Sequence, residues 1–147
     1  WCARAVLPIM RETGGAIVNV SSNAVEGEYR IPYSAAKGAV EALTTALAIE
    51  VAGFGIRVNC IAPGGTSAPE RKTQRNVQPI SDQDKEWQTQ FMMLLKDEEL
   101  LAPWSTAEQQ AGVICFLASE DAAHITGEIV HTGRRGKRIF DKLGFVP

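Results

Sequence analysis

Tyr33 and Lys37 stand four residues apart in the run Tyr33-Ser34-Ala35-Ala36-Lys37, and residues four apart on a helix share one face. A phenol and an ammonium would therefore point the same way. A tyrosine is a poor base at its ordinary pKa of about 10, but a fixed cation close by favours the phenolate and brings proton transfer at neutral pH within reach. A Tyr-x-x-x-Lys pair alone is ordinary on helices, where a surface tyrosine beside a solvated lysine accounts for it. Ser21-Ser22 give this one more weight, because they close an apolar, β-branched run one loop upstream. A hydroxyl at a strand end can meet a phenol across a cleft.

The elements around these residues can be read from pattern. Ala16-Ile17-Val18-Asn19-Val20 reads as a short strand buried on both faces, the kind found in parallel sheets. Residues 23–32 carry Gly27, charges and Pro32 and read as a surface loop. From Tyr33 to Ala52 the chain is Ala-rich, with Gly38 its one glycine and no proline, and it ends in Gly53-Phe54-Gly55, which predicts a long helix. Ile56 to Ala62 is a second strand, closed by Pro63-Gly64-Gly65. Upstream, Ala5, Val6, Ile9 and Met10 predict the last turns of a helix with Pro8 near its end, stopped by Gly14-Gly15.

Downstream, residues 66–80 are polar, with Pro69, Pro79, Arg71, Lys72 and Arg75, and read as a mobile segment able to serve as a lid. A helix is expected over 82–101, and Ser105-Thr106-Ala107-Glu108 has the form of a capping box opening another helix. A final short strand over 128–131 follows Ile125-Thr126-Gly127. Two β-then-α units, a helix and a last strand indicate an α/β doubly wound parallel sheet with right-handed crossovers, which binds ligands at the carboxyl ends of its strands.

Composition narrows the function classes. The chain has 147 residues, 45% hydrophobic and 22% charged, the profile of one globular domain rather than of a disordered or collagenous chain. Fifteen Lys+Arg against 17 Asp+Glu leave a net charge of -2, which offers no basic field to a nucleic acid. No run approaches the roughly 20 apolar residues of a membrane span and the first residues lack a signal-peptide pattern, so a cytoplasmic protein without a membrane partner is expected. Cys2, Cys60 and Cys115 are odd in number and widely spaced, and are read as small buried apolar residues. His124 and His131 have no carboxylate or cysteine at ligand spacing, so no metal is expected. Residues 134–147 hold five basic residues and one acid and are read as a solvated basic tail after a domain over 1–133.

The segments GGAIVNVSS, YSAAK with its Ala-rich helix, RVNCIAPGG and ITG occur in this order, and together they resemble the short-chain dehydrogenase/reductase family across residues 1–133. The resemblance implies the second half of a Rossmann-like doubly wound parallel sheet, with the N-terminal cofactor-binding strands absent from these residues. It implies Tyr33 as general acid/base, Lys37 as the cation that lowers its pKa and holds the nicotinamide ribose, and Ser22 as the hydroxyl on the reacting oxygen. Ser21 is the alternative serine, with a strand-end structural hydroxyl as its expected part. Pro63 and Gly64 would line the nicotinamide, and Thr66 would contact the cofactor, although the family's threonine commonly lies further beyond the Pro-Gly. Asn19 and Asn59 are expected to make structural hydrogen bonds. The implied cofactor is NAD, with NADP not excluded, since no Gly-rich TGxxxGxG turn and no acid for the adenosine ribose occur here. The chain by itself is accordingly expected to lack dehydrogenase activity, and the full-length protein to be a homo-oligomer. The alanines Ala35, Ala39, Ala42 and Ala46 would serve either that contact or packing inside the subunit.

A finer likeness, in WCARAVLP, RIPYSAAKG, APGGTSAP and QRN, is to the branch of this family that oxidises benzoate-derived cis-diol carboxylates. It implies oxidation of a ring carbinol to a β-keto acid, which loses carbon dioxide to give a catechol. The substrate is then a small anion, and a guanidinium can clasp its carboxylate through two parallel bonds. Arg30, three residues before Tyr33, is the substrate-binding candidate; Arg71 and Arg75 are weighed against a solvated surface role. The alternatives are a different alcohol or 3-ketoacyl reductase of the same family, or an inactive scaffold without cofactor binding.

Overall fold

Gly15–Val20 forms β1, and the β-branched Ile17, Val18 and Val20 hold it extended against Ile56–Pro63, strand β2. The pairing is parallel and runs from Gly15 opposite Ile56 to Val20 opposite Ile61. On its other side β2 pairs in parallel with β5, Ile129–Thr132, from Cys60 opposite Ile129 to Pro63 opposite Thr132. The computed structural model describes residues 1–26, 30–67, 80–98, 100–101 and 104–133. Of the expected lid over 66–80, residues 68–79, with Arg71 and Arg75, lie outside the described residues, as does the tail over 134–147. No helix among the described residues is long and apolar enough to cross a membrane.

The chain between β1 and β2 is α2, Ile31–Val51, with Pro32 in its first turn, where a missing N–H costs nothing. Its Leu47, Ala48 and Val51 pack on Ile56 and Val58 to form the core cluster, with Leu7, Met10 and Ile17 partly buried against it. Met10 and Leu7 come from α1, Cys2–Thr13, whose carboxyl cap is Gly14 at φ 69°, with its N–H donated to the Met10 carbonyl. A side chain at Gly14 would also meet the Gly55 carbonyl oxygen at 3.1 Å. Pro8 lies inside α1 rather than at its end. Its missing N–H leaves one carbonyl of the preceding turn without its helical donor.

The three strands do not share one environment. β2 is central, and Val58, Cys60, Ile61 and Ala62 are fully buried. β1, expected to be buried on both faces, is the edge of this sheet among the described residues and is half-buried, with Val20 45% exposed. Residues 23–26, expected as open loop, form a 3-10 turn, Asn23–Glu26, in which Asn23 and Ala24 are buried. The capping box before α4, Ala107–Ala118, is displaced by one residue from its expected place. Thr106 is the N-cap and Gln109 its partner, while Ser105 lies opposite Thr66 in the two-stranded parallel ribbon of β3, Thr66–Ser67, and β4, Ser105–Thr106, and donates its N–H to the Gly65 carbonyl. α3, Asp82–Glu98, completes the elements. Of the cysteines only Cys60 is buried; Cys2 and Cys115 are exposed on α1 and α4, where partly covered helices leave an outer face.

Candidate functional site

The carboxyl end of β1 meets α2 through polar contacts. Lys37 Nζ donates to the Val20 carbonyl at 2.8 Å. Ser21, 3% exposed, has Oγ 2.7 Å from Glu41 Oε1 and 3.1 Å from the Lys37 carbonyl oxygen, so its single proton joins strand to helix. Ser22 Oγ accepts from the Ala24 N–H at 3.1 Å and thereby opens the 3-10 turn, which leaves its own proton for another acceptor. Ser34 Oγ donates to the Ala24 carbonyl at 2.5 Å and ties that turn to α2. Residues 33 and 37 share a face as the spacing requires: Lys37 Nζ is 5.8 Å from the Tyr33 ring centre, and the ring is half-buried.

Arg30, the residue before α2, carries its guanidinium 5.6 Å from the Tyr33 ring centre. It lies nearer to a second ring, 4.3 Å from the centre of Phe91 on α3. Phe91 was not legible as a site residue, since nothing in one sequence links position 91 to position 30.

Beside the end of β1 lie the ends of β2 and β5. Gly64 N–H donates to the Thr132 carbonyl at 2.6 Å, and Thr66 Oγ1 donates to the Gly64 carbonyl at 3.2 Å with Ser105 Oγ 3.4 Å away. Gln110, 8% exposed, donates to Ser105 Oγ at 2.6 Å and accepts from Thr132 Oγ1 at 2.5 Å. Asn23 Nδ2 donates to the Gly133 carbonyl at 2.7 Å, and its Oδ1 is 2.9 Å from His131 Nδ1. A polar lattice thus joins the ends of all three strands, with Pro63 and Gly64 between Ser22 and Thr132. Asn23 and Gln110 belong to it without any sequence signal beyond the position of Asn23 after Ser21-Ser22.

Asn19 and Asn59 make structural bonds. Asn19 donates to Thr44 Oγ1 at 2.9 Å, while Asn59 donates to the Ile125 carbonyl at 2.7 Å and accepts from Glu128 N–H at 3.1 Å. Behind the site, burial pushes the Cys60 thiol above its ordinary pKa, an effect opposed by hydrogen bonds from the Ser21 backbone and the Thr44 side chain. Among the described residues no group of three or more His, Cys, Asp or Glu side chains gathers as metal ligands.

Among the described residues one of the three Lys37 donors is engaged, so two remain for other acceptors. The Thr66 hydroxyl is engaged within the chain.

The family model described as enoyl-(acyl carrier protein) reductase matches residues 1–133. The chain belongs to the short-chain dehydrogenase/reductase family. Among its relatives in this family, the 1,6-dihydroxycyclohexa-2,4-diene-1-carboxylate dehydrogenase of Acinetobacter baylyi (strain ADP1) is 48% identical over 134 residues, covering 90% of this chain and 51% of that protein. The dehydrogenase of the same name from Pseudomonas putida is 46% identical over 128 residues, covering 86% of this chain and 47% of that one. Among solved structures of short-chain dehydrogenases/reductases, a 3-oxoacyl-[acyl-carrier protein] reductase from Brucella melitensis with bound NAD superposes with a TM-score of 0.69 at 28% identity, covering 90% of this chain and 46% of that chain. The chain spans about half the length of the curated relatives it matches.

Proposed function

We propose that this chain carries the catalytic side of an NAD-dependent dehydrogenase that oxidises a cis-diol carboxylate. The observation that carries the reading is the Tyr33–Lys37 face of α2 set against the Ser21-Ser22 end of β1. The two dehydrogenases of this kind at 46–48% identity support the choice of substrate class. In this reading Tyr33 accepts the proton of the substrate's carbinol hydroxyl, and Ser22 donates its free proton to the same oxygen. Lys37 holds the ribose hydroxyls, and Pro63 and Gly64 shape the wall beside the nicotinamide. NAD, when bound, supplies the acceptor for the carbinol hydride. The Arg30 guanidinium binds the carboxylate. The resulting β-keto acid then loses carbon dioxide, and the gain of aromaticity in the catechol drives the sequence forward.

A second reading, reduction of a 3-oxoacyl substrate by the same residues, has the Brucella melitensis reductase in its favour. The test is NADH formation by the purified full-length protein that carries this chain, with 1,6-dihydroxycyclohexa-2,4-diene-1-carboxylate, set beside a panel of simple secondary alcohols and 3-oxo esters. Selective oxidation of the acid is expected, with a loss of at least about 100-fold in Tyr33→Phe. Reduction of the 3-oxo esters without turnover of the acid would replace the first reading by the second. A protein that binds no dinucleotide would leave only a scaffold.

A further inference from the structure

Arg30 is a cation with no carboxylate in ion-pair range among the described residues, where the one ion pair is the exposed Lys85–Asp82 contact within α3. Its charge is met instead by two aromatic rings, Phe91 at 4.3 Å and Tyr33 at 5.6 Å. Phe91 is 4% exposed, whereas every other α3 residue whose side chain is described is exposed, Trp87 and Met93 included. The helix therefore buries one described side chain, and that side chain faces the guanidinium beside Tyr33. A guanidinium held over a ring uses its flat face, while its five N–H donors lie in the plane and stay available to a carboxylate.

We propose that Phe91 is a positioning residue for substrate carboxylates: it holds the Arg30 guanidinium beside Tyr33 with its in-plane donors unengaged among the described residues, and so couples the seating of α3 to recognition of an anionic substrate. The inference rests on the cis-diol carboxylate reading above and adds to it the residue through which Arg30 is oriented. Lysine could not replace Arg30 in this arrangement, because an ammonium has no planar edge to offer once it sits over a ring.

The test is equilibrium binding, measured by calorimetry, to the purified full-length protein loaded with NADH, with which neither probe can be oxidised. The probes are 1,6-dihydroxycyclohexa-2,4-diene-1-carboxylate and the neutral cis-diol that lacks the carboxylate. Phe91→Leu is expected to weaken the acid by about fivefold, the scale of one cation–π contact, and to leave the neutral diol unchanged. Arg30→Ala should weaken the acid more, and the double variant should be no worse than Arg30→Ala alone, since Phe91 acts through Arg30. Phe91→Tyr, which keeps the ring, should bind both probes as the unaltered protein does. Equal weakening of acid and neutral diol by Phe91→Leu, or additive losses in the double variant, would overturn the positioning role. An unaltered protein that binds the acid no more tightly than the neutral diol would overturn the carboxylate reading and this inference with it.

Discussion

Cys60 shows how one side chain behind the site reports on the packing that holds it. It is fully buried in β2, and burial raises its thiol pKa above the ordinary value of 9.0. A group whose folded pKa is raised contributes stability that is complete below its unfolded pKa and lost as pH rises through the folded one. Unfolding should therefore become easier above the ordinary thiol value, and Cys60→Ala should flatten that alkaline slope in urea melts measured at several pH values. Alkylation gives an independent check: Cys2 and Cys115 are exposed and should react in the native protein, with Cys60 modified only after denaturant is added. Rapid native labelling of Cys60 would contradict the burial of β2. The reading of all three cysteines as buried followed from residue type, and type alone cannot tell the covered face of a helix from its outer face.

Single elements show which local signals survive tertiary context. Both long strands and α2 were legible, because β-branched runs between glycines and an Ala-rich stretch between Pro32 and Gly53 admit few alternatives. The Tyr33–Lys37 face followed from helical periodicity alone. The cap of α4 was legible only to within one residue: Ser105 and Thr106 are both good caps, and the choice was made by Gly65, whose carbonyl takes the Ser105 N–H at 3.1 Å and draws Ser105 into β4. Thr106 is then left to accept from Gln109 N–H at 3.3 Å, with Gln109 Oε1 returning to the Thr106 N–H at 2.8 Å. Thr106→Ala is expected to cost about 1 kcal/mol, read as a lower urea midpoint. Unchanged stability in that variant would show that α4 does not depend on this cap. The polar lattice of Asn23, Gln110 and Thr132 was hidden for a different reason, since its members lie more than 20 residues apart and carry no periodic pattern.

At the scale of the molecule, the central question is what covers the apolar faces this chain presents. α1 and α2 carry Val6, Ile9, Leu43 and Ile49 at 40%, 68%, 49% and 77% exposure, and between them lies an open cleft of about 460 Å³ that includes Leu7, Pro8 and Leu47. Ala35, Ala39, Ala42 and Ala46, read from sequence as a close-approach face, are all exposed on α2. Exposed large apolar side chains favour association, and small side chains let a second helix come near. β1 adds an open sheet edge among the described residues, a second route to association. The two routes make different demands. If the helices are responsible, light scattering should give a mass of at least two chains, and Ile9→Lys with Ile49→Lys should return the protein toward one chain, because each lysine places a charge on the face to be buried. Association untouched by both lysines would assign the contact to the edge of β1, and a single-chain mass for the unaltered protein would show that these faces tolerate water.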